Sequence, residues 1–154
     1  MDCCSDRQAS LEQLLPAIQA QLTQGRKVKF YPKGTSMLPM LRPGRDFVIL
    51  SPLPGKLKKY DLPLYRRDNG QFVLHRVTRV RDTYTCMGDN QFFPEEGLRH
   101  DQMIGLVTAF CRDNKEIPVT NIAYRLFCRL WHFSRPLRHL WRRGIGWIRR
   151  NFAE

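Results

Sequence analysis

From residue 27 to residue 110 the chain is cut into short β-rich runs by glycine, proline and Asn-Gly, and no interval is long enough for a substantial helix. That punctuation constrains the fold more than any other feature. The runs 28–30, 47–50, 62–65, 72–80, 83–87 and 103–110 read as strands. Asp68-Asn69-Gly70, between two of them, predicts a hairpin, because such residues supply the positive φ that tight turns need. Strands this short and close-set predict a mostly β fold built as a compact antiparallel domain.

The periodicity changes on both sides. Residues 10–24 read as a helix: Ser10 stands at the cap, Gln13 at the capping-box position, and Leu11, Leu14 and Leu15 recur at helical spacing. Pro16 falls in the second turn and Gly25 is the stop. Residues 119–152 are helical again. At 100° per residue, Ile122, Leu126, Leu130, Phe133, Leu137, Leu140 and Ile148 fall within an arc of about 80°. Arg125, Arg129, Arg135, Arg138, Arg142, Arg143, Arg149 and Arg150 take the opposite side. Pro136 is expected to divide this run into two helices, and Gly144 and Gly146 to loosen the second. Trp131, Trp141 and Trp147 are all the tryptophans of the chain. The organisation is therefore an N-terminal helical segment (1–26), a β domain (27–118) and a basic amphipathic helical tail (119–154). There is no internal repeat or low-complexity tract.

Charge singles out the tail. The formal charge is +12, and residues 121–154 hold eight arginines, no lysine and one acid. A cation of this kind favours acidic partners such as nucleic acid, anionic lipid or acidic peptide, and says nothing about fold. Cys3, Cys4, Cys86, Cys111 and Cys128 show no C-x-x-C spacing, so they read as free thiols in a reducing compartment. The adjacent Cys3 and Cys4 also fit acylation. There is no secretory signal profile, and no window of about 18 to 20 uninterrupted apolar residues. The expected location is the cytoplasm, with any membrane contact peripheral, on the inner face.

The stretch that carries chemistry is Gly34-Thr35-Ser36-Met37-Leu38-Pro39-Met40-Leu41-Arg42-Pro43-Gly44-Arg45-Asp46. A serine after a glycine and a strand can hold its hydroxyl at an edge, with its own amide facing the same cleft, as an oxyanion hole requires. Serine needs a base beside it to be nucleophilic at neutral pH. His75, in Leu74-His75-Arg76-Val77, is the one histidine inside an expected strand. Asp89, in Gly88-Asp89-Asn90, offers a carboxylate to orient the imidazole, and Glu95 a second one six residues later. Asp46 and Asp61 read as structural turn residues. His100, His132 and His139 show no ligand spacing, so no metal or other cofactor is expected.

Gly-x-Ser-Met-x-Pro, Leu-x-x-Gly-x-Asp, His-Arg-Val, Gly-Asp-Asn and Ile-Gly-x-Val, in that order, resemble the S24/S26 superfamily of serine peptidases, which includes signal peptidases and self-cleaving repressors. The resemblance runs from about residue 27 to residue 110. It implies a signal peptidase/LexA-like fold, and a histidine at position 75 resembles the branch that uses histidine rather than lysine as base. Carried over, it implies Ser36 as nucleophile, His75 as general base and Asp89 as orienting carboxylate. Glu95 is an inexact match for the second acid, where the family has aspartate. Some relatives use a serine hydroxyl two residues before the nucleophile; Gly34 stands there, which leaves the oxyanion to backbone amides, chiefly that of Ser36. Membrane-bound signal peptidases carry a spanning helix before the serine block, whereas this chain has the polar helix 10–24.

These features lead to a serine endopeptidase that cleaves one precursor or leader protein through a Ser-His-Asp site. The alternative is an inactive regulatory module that binds peptide or dimerises on the same fold. A self-cleaving form is not expected, since no small-residue pair stands out before Lys27. For the tail, three readings stay open: contact with anionic membrane through residues 121–152, packing on the chain's own domain or on a partner, and nucleic acid. No base-reading module accompanies the arginines.

Overall fold

A computed structural model of the chain describes residues 11–141. Helix α1 (Leu11–Thr23) is followed by β1 (Val28–Phe30), β2 (Phe47–Ser51), β3 (Pro63–Arg66), β4 (Phe72–Leu74), β5 (Arg76–Val80), β6 (Tyr84–Met87) and β7 (Glu95–Leu98). A 3-10 turn at His100–Gln102 leads into the long strand β8 (Met103–Arg112), then β9 (Lys115–Pro118) and helix α2 (Ile122–Phe133). Residues 135–141 are helical as well. The architecture is mostly β, with every strand pairing antiparallel.

The larger sheet has the order β1-β2-β8-β3-β4 and the smaller one β5-β6-β7. They do not close into a barrel. Strand β8 is the spine: β2 runs along it from Phe47 opposite Cys111 to Ser51 opposite Leu106. β3 pairs with its first half and β9 with its last four residues. The Asn-Gly signal is realised as the β3–β4 hairpin, where Gly70 takes φ 87°.

Run 72–80 departs from expectation. It is two strands, not one: β4 closes the larger sheet, β5 opens the smaller, and His75 is the residue between them. Strands β7 and β9 were not expected at all. Glu95-Glu96-Gly97-Leu98 has poor strand propensity and is recruited by pairing with β6. β9 follows a two-residue turn at Asp113 and Asn114, both at positive φ, a hairpin signal weaker than Asn-Gly.

One core cluster joins α1 (Ile18, Leu22), the segment Met37, Met40 and Leu41, strands β2, β3 and β8, and Tyr124 and Cys128 of α2. Both helical flanks thus pack into the same core as the larger sheet. A second cluster, with Leu57, Tyr65, Val77, Tyr84, Cys86, Leu98 and Met103, lies under the smaller sheet. Leu64 and Tyr65 are neighbours on β3, so alternation sends one to each core.

The tail divides into two helices as expected, and its buried face, left open by the sequence, is decided. The helical run is interrupted at Ser134 rather than at Pro136, which sits in the first turn of the next helix, where proline is tolerated. The apolar arc also faces outward: α2 buries Tyr124 and Cys128 and exposes Ile122, Leu126, Leu130 and Phe133. Polar anchors choose the buried face. Asn121 caps the helix by accepting from the Tyr124 N–H at 3.1 Å, and the Tyr124 hydroxyl accepts from buried Arg76 at 2.9 Å. Cys86, Cys111 and Cys128 are free and buried. Expectations for Cys3, Cys4, Ser10, Gly144, Gly146, Trp147, Ile148 and the last four arginines lie outside the described residues.

Candidate active site

The serine loop leaves β1 through Gly34, whose φ of 84° belongs to the region where a side chain is strained. This is a local reason for a glycine at position 34. Buried Met37, Met40 and Leu41 anchor the loop from below. Its far end is closed by Asp46, which is fully buried. Asp46 accepts from the Arg42 N–H at 2.8 Å and from the Arg42 guanidinium at 2.7 Å. The Leu-x-x-Gly-x-Asp block is thus a clasp, and Asp46 has the structural role expected of it.

Above the loop lies Gly88-Asp89-Asn90. The Asn90 N–H donates to the Ser36 carbonyl at 2.8 Å, and the Asn90 side-chain amide donates to the Thr35 carbonyl at 3.2 Å. A Cβ on Gly88 would stand 2.7 Å from the Ser36 carbonyl oxygen, so only glycine allows this approach. The carbonyl of Ser36 is therefore fixed, while its own N–H has no protein acceptor among the described residues. That is the state an oxyanion donor must be in.

His75 is 3% exposed. Its Nδ1 lies 3.2 Å from the Tyr65 hydroxyl oxygen, and that hydroxyl donates to Glu95 Oε2 at 2.9 Å. Arg67 grips the same carboxylate with two bonds, at 2.8 and 2.7 Å. Burial alone would push the Glu95 carboxyl up; the Arg67 guanidinium and the Tyr65 hydroxyl outweigh it and hold Glu95 below its usual value. Burial, and then the charge of Glu95, push the Tyr65 phenol far up, so it keeps its proton.

These directions assign the imidazole tautomer. An ionised Glu95 only accepts, so the single Tyr65 proton points at it. The Tyr65 oxygen must then accept from His75, which puts the ring proton on Nδ1. The Nε2 lone pair is left free, without a protein partner among the described residues. Burial lowers the imidazole to about 4; Glu95 and Asp89 raise it and Arg67 lowers it, without reversing the effect of burial. His75 is neutral at pH 7, the form a general base requires.

Asp89 does not orient His75. It faces the next residue along, pairing with the Arg76 guanidinium at 2.8 and 2.7 Å, with both side chains essentially buried. The buried guanidinium of Arg76 takes both carboxylate oxygens of Asp89, while the imidazole is joined to Tyr65. Arg76 also reaches the Tyr124 hydroxyl, the Tyr60 carbonyl and Met40. On this geometry Glu95, acting through Tyr65, occupies the position expected of Asp89.

Ser36 and His75 line one cavity of about 580 Å³. Its walls are Pro32, Lys33, Gly34 and Met37 on one side and residues 71–74 on the other, with Arg67, Leu41 and Gln91 completing it. No direct hydrogen bond joins the Ser36 hydroxyl to His75 among the described residues. β4, at the end of the larger sheet, borders the cavity along its whole length. Among the described residues no cluster of His, Cys, Asp and Glu could hold a metal ion.

Nothing local in the sequence marks Tyr65 or Arg67 for this site, and Arg76 stands in the His-Arg-Val block only as the neighbour of His75. Tyr65 ends an ordinary strand run and Arg67 lies just past β3, and only the pairing of β6 with β7 brings Glu95 to them. No protein-family model matches the chain, and no curated protein or solved structure matches it.

Proposed function

We propose that the chain is a serine endopeptidase. More narrowly, we read it as a histidine-base member of the S24/S26 superfamily with a signal peptidase/LexA-like fold. The observation that carries the reading is the imidazole of His75. Its tautomer is set by Tyr65 and Glu95 so that an unpartnered Nε2 is available in the cavity that Ser36 also lines.

In this mechanism an extended segment of a precursor protein pairs with the free edge of β4. Ser36 Oγ attacks the scissile carbonyl, and His75 Nε2 takes the hydroxyl proton as the carbon–oxygen bond forms. The Ser36 N–H donates to the developing oxyanion. Glu95, relayed through Tyr65, stabilises the imidazolium, which then protonates the leaving amine as the peptide bond breaks. Water repeats the sequence on the acyl-serine. In unliganded enzymes the nucleophile–base contact is often long and tightens once substrate is bound.

The test is a mixed peptide library incubated with the protein and resolved by mass spectrometry. The reading expects a restricted set of cleavages that Ser36→Ala abolishes. A library returned intact would overturn it.

One observation favours a second reading, an inactive peptide-binding module: the missing hydrogen bond between Ser36 and His75. That module would hold an uncleaved peptide along β4 equally well in the protein and in Ser36→Ala.

A further inference from the structure

The crest of the C-terminal helices is surface that the peptidase reading leaves unused. Ile122, Leu126, Leu130 and Phe133 on α2 are 54% to 83% exposed. Leu137, Leu140 and Trp141 continue the crest at 65% to 71%. A surface helix normally buries such a stripe. Here the bonds from Arg76 to Tyr124, and from the Trp131 indole to the Asp89 carbonyl at 2.8 Å, hold the other face inward. Turning the crest inward would break the buried Arg76–Asp89 cluster. Apolar surface this contiguous marks a contact site.

Its surroundings indicate the occupant. Lys58, Lys59, Arg125 and Arg129 are exposed and line one cavity beside α2, and its acid, Asp61, is engaged by the Lys58 N–H at 2.7 Å. The sequence continues past the described residues with four more arginines and Trp147, against one acid. Nucleic acid matches the cations but offers nothing to a leucine crest. An anionic bilayer surface matches both, with phosphate for the cations, the acyl boundary for the leucines and the interface for tryptophan. Among the described residues no helix is long and apolar enough to cross a membrane, so the contact is with the surface.

We propose that α2 and the 135–141 helix dock the protein on an anionic phospholipid surface, crest into the acyl boundary and the four flanking cations on the headgroup phosphates. The dock is joined to the candidate site. Trp131 and Arg138 both donate to the Asp89 carbonyl, and the Phe92 ring lies 4.9 Å from that of His139. A docked chain therefore presents its cavity to the bilayer in one attitude.

The experiment is co-sedimentation of the full chain with vesicles of phosphatidylcholine, alone or mixed with phosphatidylglycerol. The proposal expects affinity at least about tenfold higher for the anionic vesicles, falling steeply with added salt. Leu126→Ser combined with Leu130→Ser should lower it at least about tenfold with the thermal midpoint unchanged, since both side chains are exposed. Ser36→Ala should bind as the parent does, which separates this proposal from the peptidase reading. Absence of binding to anionic vesicles, or binding indifferent to the leucine changes, would overturn it. So would a chain dimer, in lipid-free buffer, that the same changes dissolve, because the crest would then belong to a second copy.

Discussion

At the scale of single residues, the two carboxylates that the sequence offers for one task have different partners: Glu95 is joined to the imidazole through Tyr65, and Asp89 to Arg76. Glu95 acts through Tyr65, so Tyr65→Phe removes the acceptor of the Nδ1 proton while leaving the ring packing intact. We expect kcat/KM for peptide hydrolysis to fall about a hundredfold or more, and stability to fall by about 1 to 3 kcal/mol because the buried Nδ1–H loses its acceptor. Asp89→Ala should act chiefly on stability. It strands a buried Arg76 and costs about 3 to 5 kcal/mol in urea denaturation, whatever its effect on rate. His75 adds a pH signature. Its folded value, about 4, lies below the usual imidazole value near 6.5, so the unfolded chain binds the proton first as pH falls. Stability is then flat above about pH 7 and drops by up to about 3 kcal/mol between pH 6.5 and 4. His132 is lowered by burial and by Arg135, and contributes in the same direction. The share lost in His75→Asn, read from denaturation midpoints across that window, belongs to His75.

At the scale of elements, the two loops meeting over the serine matter most. Gly88 is required by the Ser36 carbonyl oxygen, 2.7 Å from where a Cβ would sit. Gly88→Ala should cost about 1 to 3 kcal/mol, with a larger proportional loss of hydrolysis because the displaced group is Ser36 itself. Differential scanning calorimetry and a peptide assay on the same preparation check both halves. The elements themselves were largely legible: α1, the β3–β4 hairpin and the long β8 follow from periodicity and turn chemistry that act locally. The break at His75 was not, because β-rich residues continue through it and only pairing with two different sheets divides the run. β7 was hidden for the same kind of reason, since its propensity is poor and its partner is remote in sequence.

At the scale of the whole molecule, β3 ties the two cores together, sending Leu64 to one and Tyr65 to the other. That bridge brings the Tyr65–Glu95 pair to His75, and no local pattern in the chain announces it. Motif order puts Ser36 and His75 forward together, and the two line one cavity. That Glu95 rather than Asp89 is joined to the imidazole comes from the pairing of β6 with β7. The amphipathic tail was legible too, but not its orientation, which the buried Arg76 and Asp89 decide from the core outward. Covalent capture of the nucleophile tests the central claim most directly. A serine-directed fluorophosphonate should add one label, mapped by peptide mass to Ser36. Labelling should be absent in Ser36→Ala and at least about a hundredfold slower in His75→Ala. A chain that stays unlabelled, or carries its label elsewhere, would contradict the account.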